Sequence, residues 1–507
     1  MKKVRFFLVM LCFLLLFQTG VVPALATEGG DTAVDATTAT DVTDATDTGP
    51  AIPPEGEIPV VTGEDASVSN GCHTMDALIS LGGSEKKVET AKSAILYELN
   101  SGTLLYAYQP NEKVYPASLV KIMTALLAVE DDHLEQTVTV TETALATVPY
   151  DALTVQLKAG ETLTMKDLLY CMMVESANDA CTVIAEQLAG SQEAFVARMN
   201  TRAKELGCTG TQFVNAHGLP DEQQYTTARD IGKIVETALQ YDAFREVFGA
   251  VSYTVPETNC SQARYLVTTN YFMSTDRGVV KFRDSRFTGG KSGAISNTTD
   301  RSIACTAESG DLNLLCIVMG AEGTLEEDGY SLKRLGNFEE AAELMNYGFQ
   351  NFMVSQILYE GKSVTQFPVT NGENQIVSRP VETVYSALPF GTTAEHLTWR
   401  YLRPNGELTA PVEKDDPVGT VQVWFGAVCL AQSDMVSMNG SVVYDKLPGT
   451  ETLTGDTGNG GQFLKILGIV FIVLLGWAVV SLGVKFIRAA IIRARRRRRR
   501  KNRRRSR

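Results

Sequence analysis

Residues 115–125 read Tyr115-Pro116-Ala117-Ser118-Leu119-Val120-Lys121-Ile122-Met123-Thr124-Ala125. Beyond the turn at Pro116, Leu119, Ile122, Met123, Leu126 and Leu127 recur at three- and four-residue spacing, the period of an α-helix. Ser118 and Lys121 stand one turn apart on that helix, so the amine can reach the hydroxyl. The helix N-terminus lays backbone N–H groups and the positive end of its dipole beside both. Burial and a neighbouring cation leave such a lysine neutral and able to accept the serine proton. Taken alone, Ser-x-x-Lys is a weak signal that far more often describes an exposed lysine behind a serine cap.

Working outward, Ala94-Ile95-Leu96-Tyr97 and Thr103 to Tyr108 are apolar runs separated by Asn100-Ser101-Gly102, a hairpin signal. Helical patterns follow at Met165–Leu188, Glu193–Leu206 and Thr227–Leu239. Strand patterns return at Arg301–Glu308 and Leu312–Met319 around a Ser-Gly-Asp turn, and a helix over Asn337–Val354 closes the series. Strand pair, helices, strand pair and helix make an α/β (α+β) body, placed at residues 88–360. From 361 to 447 the texture changes to short β-rich runs, such as Thr420-Val421-Gln422-Val423-Trp424 and Val442-Val443-Tyr444, which predicts a small all-β domain.

The ends predict topology. Lys2, Lys3 and Arg5, an apolar run from Phe6 to Phe17 and Ala24-Leu25-Ala26 form a secretory signal peptide over 1–26. Residues 27–87 read as a disordered acidic leader, because its stretch Thr27–Asp65, built of Thr, Ala, Asp, Gly, Pro and Glu, buries too little apolar surface to offset chain entropy. After a Gly/Thr-rich stalk at 448–462, Ile466–Val484 carries no charge, which predicts one C-terminal transmembrane helix over 463–487. The Arg-rich tail 488–507 is then cytoplasmic by the positive-inside rule, and the body faces the extracytoplasmic side of the cell membrane.

Composition narrows the function classes. With 507 residues, 44% of them hydrophobic, the chain needs no metal or disulfide staple to build a core. Net charge is −13 despite the cationic tail, so no basic folded face exists for nucleic acid. Nine cysteines lie scattered without Cys-x-x-Cys spacing and read mainly as small buried hydrophobes, with room for one or two bridges. Four histidines, none paired at i, i+4, predict no metal site and a nucleophile that works without a histidine triad. No cofactor is expected.

Two further interruptions carry chemistry. Ser176-Ala177-Asn178 breaks an apolar helical run and must find polar partners. Lys291-Ser292-Gly293 follows Thr288-Gly289-Gly290, small residues that would let a substrate backbone lie along a strand edge. With Ser118 and Lys121 they complete the order Ser-x-x-Lys, Ser-x-Asn, Lys-Thr/Ser-Gly. Together with Phe213–Pro220 (FVNAHGLP) and Thr227-Ala228-Arg229-Asp230, this set resembles low-molecular-mass penicillin-binding proteins, the serine-type D-alanyl-D-alanine carboxypeptidases of peptidase family S11, over residues 88 to 355.

The resemblance implies a serine β-lactamase/DD-peptidase-like fold, peptidoglycan stem peptides as substrate and β-lactams as covalent inhibitors. It implies that Ser118 is the acylated nucleophile and Lys121 its base. Ser176 and Asn178 would relay the proton and hold the substrate amide. Lys291, Ser292 and Gly293 would bind substrate, and the Ser118 N–H would form half of an oxyanion hole. His217 is expected to brace its loop rather than act as base, and Arg229 to be an ion-pair partner. Lys-Ser-Gly replaces the commoner Lys-Thr-Gly. Asn337 stands where relatives often carry an arginine that helps position the substrate carboxylate, with Arg334 three residues earlier. A β-lactamase would share the three motifs, and an idle wall-binding or β-lactam-sensing module would need the same residues. The β-rich domain, the anchor and the HGLP and ARD segments favour the carboxypeptidase.

Overall fold

The computed structural model describes residues 60–61, 80–82, 85–295, 300–325, 332–403 and 406–443. The signal peptide, most of the leader, the stalk, the 463–487 span and the tail lie outside them. Among the described residues no helix is long and apolar enough to cross a membrane.

The central sheet is built from β1 (Ser93–Glu98), β2 (Thr103–Tyr108), β3 (Phe287–Ala294), β4 (Asp300–Ser309) and β5 (Leu312–Leu325), with β6 (Leu332–Leu335) paired to β5. Its order is β2-β1-β5-β4-β3, every pairing antiparallel. The first hairpin and the β4–β5 pair therefore fall where the sequence places them. Strand alternation explains why the sheet is buried on both faces. Ile95, Tyr97, Ala304, Leu315 and Ile317 point into one core, while Ala94, Leu96, Ile303, Cys305 and Val318 point into the other.

Among the described residues seven helices cover the first face: α1 (Val120–Glu130), α2 (Glu142–Ala146), α3 (Met165–Val174), α4 (Asn178–Ala189), α5 (Gln192–Glu205), α6 (Ala228–Ala238) and α7 (Asp242–Phe248). Helix α8 (Gly336–Asn351) lies on the second face, where Phe338, Ala341, Leu344 and Met345 pack. Helix α1 is apolar nearly all round, and every residue from Val120 to Val129 is buried, the pattern of a helix at the centre of a domain.

The expected single helix over Met165–Leu188 is two helices. Thr164 and Asp167 form a capping box that starts α3. Ser176, between α3 and α4, has φ 62°, a left-handed conformation that interrupts the helical hydrogen bonding. Apolar periodicity continues across the break because both helices bury a face in the same core.

The β-rich domain begins at Phe352, not at 361. Phe352–Leu358 follows α8 directly and pairs with Val384–Pro389. A second sheet joins Leu397–Leu402, Pro417–Phe425, Val428–Ser437, Ile376–Pro380 and Thr365–Phe367 around Tyr401, Val421, Val423, Leu430 and Ile376. Val443 makes only an isolated bridge with Gly372 rather than part of a strand. Order also reaches into the segment expected to be a disordered leader. Val60–Val61 runs parallel to Leu397–Leu402, and Leu81 and Gly82 donate to the Leu104 and Leu105 carbonyls. Backbone pairing supplies what that segment's composition lacks. The two domains meet where the Thr103 hydroxyl lies 3.1 Å from that of Ser386 and the Ala387 N–H reaches Ser101 Oγ.

Among the described residues six cysteines are free, of which Cys171, Cys181, Cys208, Cys305 and Cys316 are buried, while Cys429 is disulfide-bonded.

Candidate active site

Pro116 ends the approach to α1, and Ala117–Leu119 forms a 3₁₀ turn ahead of it. Ala117 adopts φ 49°, the left-handed region that an alanine occupies only when its surroundings impose it. Those surroundings are two glycines. A Cβ on Gly218 (φ 86°) would stand 1.9 Å from the Ala117 carbonyl oxygen, and one on Gly293 would stand 3.2 Å from both the Ala117 Cβ and the Ser118 nitrogen. The HGLP loop and the end of β3 thus close on the turn from two sides and fix Ser118.

The Lys121 side chain is wholly buried. Its Nζ lies 3.1 Å from Ser118 Oγ, 2.8 Å from Asn178 Oδ1 and 2.6 Å from the His217 carbonyl. These contacts saturate a tetrahedral amine and aim one direction at the serine. Burial holds the Lys121 amine below the usual lysine range, although Cys181 and Asp179 oppose the shift. On the other side, Ser176 Oγ lies 3.2 Å from Ser118 Oγ, and Lys291 Nζ donates to Ser176 Oγ at 3.1 Å and to the Ser292 carbonyl at 3.0 Å. Lys291 is equally buried, and burial followed by the charge of Lys121 pushes its amine down to about 7.

The break between α3 and α4 explains the middle motif. With Ser176 left-handed, its hydroxyl turns towards Ser118 while Asn178 opens α4. Asn178 Nδ2 donates to the Leu153 carbonyl, which orients Oδ1 towards Lys121. The neighbouring Asp179 accepts from the Val155 and Leu157 N–H groups and anchors the same loop. Ser292 Oγ bonds Thr269 through its carbonyl and hydroxyl oxygens at 3.3 and 3.0 Å. Gly293 has no side chain to cover the Ser118 N–H, which lies at a helix start where N–H groups lack intrahelical acceptors.

Ser118, Lys121, Ser176, Asn178 and Lys291 therefore form one connected network, with Ser292 and Gly293 along its strand edge. A tight turn, a buried amine 3.1 Å from a hydroxyl and a second hydroxyl at 3.2 Å suit acyl transfer to serine. The D-alanyl-D-alanine carboxypeptidase family, peptidase S11, matches residues 83–323. Over those residues the chain is similar to this family.

Its relatives agree over most of their length. D-alanyl-D-alanine carboxypeptidase DacC of Escherichia coli (strain K12) is 29% identical over 357 residues, 69% of this chain and 83% of the relative. DacF of Bacillus subtilis (strain 168) is 26% identical over 349 residues, 68% and 85% of the two chains. Penicillin binding protein 5 from Haemophilus influenzae superposes with a TM-score of 0.56 at 25% identity, covering 71% of this peptidase and all of that chain. The penicillin-binding α/β fold is thus shared.

His217 sits in the site without the features of a base. Burial, then the nearby Lys121, lowers its imidazole to about 4, and Nδ1 accepts the Leu219 N–H, so the neutral ring braces the loop. Among the described residues no group of His, Cys, Asp or Glu is arranged to hold a metal ion. Sequence reasoning missed Thr269, the His217 carbonyl and Leu153, which act through backbone atoms or a plain hydroxyl. The positive φ of Ala117 had no signal either, since alanine does not announce it.

Proposed function

We propose that the protein is a serine D-Ala-D-Ala carboxypeptidase that removes the terminal D-alanine of peptidoglycan pentapeptide and binds penicillin covalently. The observation that carries this is the wholly buried Lys121 amine 3.1 Å from Ser118 Oγ. In neutral form it takes the serine proton as Ser118 Oγ attacks the penultimate D-Ala carbonyl carbon. The Ser118 N–H stabilises the oxyanion that forms. Ser176, linked to both Ser118 and Lys291, returns a proton to the departing D-alanine nitrogen. The C–N bond breaks to leave an acyl ester on Ser118, which water hydrolyses. A β-lactam acylates Ser118 in the same way, but its leaving group stays tethered and keeps obstructing that water.

The test supplies the purified protein with a peptide ending in D-Ala-D-Ala and, separately, with a penicillin, following free D-Ala and hydrolysed penicillin. Many D-Ala turnovers against about one slow penicillin event per enzyme are expected, a contrast of several kcal/mol in the deacylation barrier. Fast penicillin hydrolysis without D-Ala release would make it a β-lactamase. A single acylation without peptide turnover would make it a sensor or binding module.

The uncharged stretch Ile466–Val484 and the Arg-rich tail support a single-pass anchor that keeps the peptidase domain on the extracytoplasmic face of the cell membrane. Full-length protein is then expected to resist both salt and alkaline extraction from membranes. Release by high salt alone would show an electrostatic, peripheral attachment.

A further inference from the structure

The site described so far lacks one element that a carboxypeptidase needs, a cation for the free carboxylate at the end of its substrate. The obvious cations are committed elsewhere. Arg334 pairs with Glu89 and Glu339, Arg277 with Glu175, and Lys291 spends its donors on Ser176 and the Ser292 carbonyl. Asn337, at the start of α8, is uncharged; it donates Nδ2 to the Ser302 carbonyl at 3.0 Å, and its buried Oδ1 has no hydrogen-bond partner.

Arg301 is different. It lies at the start of β4, directly opposite Ala294 and therefore just beyond Lys291-Ser292-Gly293 on the neighbouring strand. In the same register Ser292 faces Ile303, so Arg301 and Ser292 emerge on one face of the sheet as diagonal neighbours. Positions so related are ~7–8 Å apart, a span that an arginine crosses readily and that leaves room for a carboxylate between guanidinium and hydroxyl. Arg301 is half-buried, its Nε is buried without an acceptor, and among the described residues its guanidinium has no carboxylate partner. Burial holds it below the ordinary arginine value. A partly desolvated cation without a counter-ion is unfavourable in the free protein, and an anionic ligand would relieve it.

We propose that Arg301 is a specificity-determining residue that docks the terminal carboxylate of the peptide beside Ser292. This rests on the carboxypeptidase reading. A substrate strand laid along the edge of β3 presents its scissile carbonyl at Ser118 and its terminal carboxylate towards Ser292, where Arg301 arrives from β4. The planar guanidinium can hold that carboxylate through two parallel hydrogen bonds, which a lysine cannot.

The experiment compares a peptide ending in D-Ala-D-Ala as the free acid with the same peptide as its C-terminal amide, using wild type, Arg301→Gln and Arg301→Lys, each checked for its melting temperature. Wild type is expected to favour the acid in kcat/KM by roughly 10- to 100-fold, the range of a charge-assisted pair. Arg301→Gln should lose most of that preference through its KM for the acid while turning over the amide at close to the wild-type rate, and Arg301→Lys should fall between. A fold defect would depress acid and amide together and leave their ratio unchanged. An unchanged acid-to-amide ratio in both variants overturns the assignment. Failure of wild type to turn over either peptide withdraws the carboxypeptidase reading itself, and the role of Arg301 with it.

Discussion

Replacing Lys291 with methionine should make the protein more stable in acid while removing its chemistry. Burial, then Lys121, takes the Lys291 amine from its ordinary 10.5 to about 7. Each tenfold change in proton affinity is worth ~1.4 kcal/mol, so charging this lysine costs the fold on the order of 5 kcal/mol where folded and unfolded chains are both protonated. Methionine fills a similar volume without charge but gives up hydrogen bonds to Ser176 and the Ser292 carbonyl, about 1 kcal/mol each. The variant should therefore be the more stable by roughly 3 kcal/mol at pH 6. The sign of the pH dependence follows from a lowered folded value: between about 7 and 10.5 the unfolded chain binds more protons, so wild-type stability rises with pH. The variant lacks that rise, and its advantage should shrink by ~1.4 kcal/mol per pH unit above 7 and vanish near pH 9. Denaturant unfolding at pH 6, 7, 8 and 9, followed by near-ultraviolet circular dichroism, measures the gap. A gap that does not change with pH refutes the argument that a buried charge at Lys291 opposes folding.

Lys121→Arg should acylate with penicillin at least ~100-fold more slowly at every pH, because arginine stays protonated. Wild-type acylation should instead rise with pH through an ionisation below the usual lysine range, as burial of Lys121 requires. Stopped-flow trapping of the acyl-enzyme distinguishes the two profiles, and a near-normal Lys121→Arg rate would remove Lys121 from the role of base. Gly218→Ala should lose penicillin labelling out of proportion to its stability, because the added methyl meets the Ala117 carbonyl and tilts the turn holding Ser118. Normal labelling by that variant would show that the HGLP loop does not position the nucleophile.

Much of this arrangement was legible in the sequence because it rests on local signals. Alternating apolar runs marked β1 and β2, and one-turn spacing placed Lys121 beneath Ser118. The three motifs lie on different elements and meet only through sheet and helix packing, so only their order and combination identified the site. What escaped has a common cause. The break at Ser176 is a backbone event inside an unbroken apolar pattern, and Lys121 is satisfied in part by the His217 carbonyl, a group every residue carries. The start of the β-rich domain at Phe352 was hidden because Phe352 packs in the same core as α8. Pairing of Val60–Val61 with a strand more than 300 residues away was invisible to composition, which weighs side chains and not free backbone edges.

The close contacts among Ala117, Gly218 and Gly293 bear on how such an enzyme can change. Behind the nucleophile there is no room for a side chain at Gly218 and little at Gly293, so enlargement at Gly218 displaces the turn that carries Ser118. Variation that narrows or widens the range of accepted ligands, including escape from a covalent drug, has to enter from the outer rim, at residues such as the exposed Tyr115 or at the start of β4. Selection acting on this cleft is consequently one-sided: its back wall is closed to growth, and its mouth is where new specificities can begin.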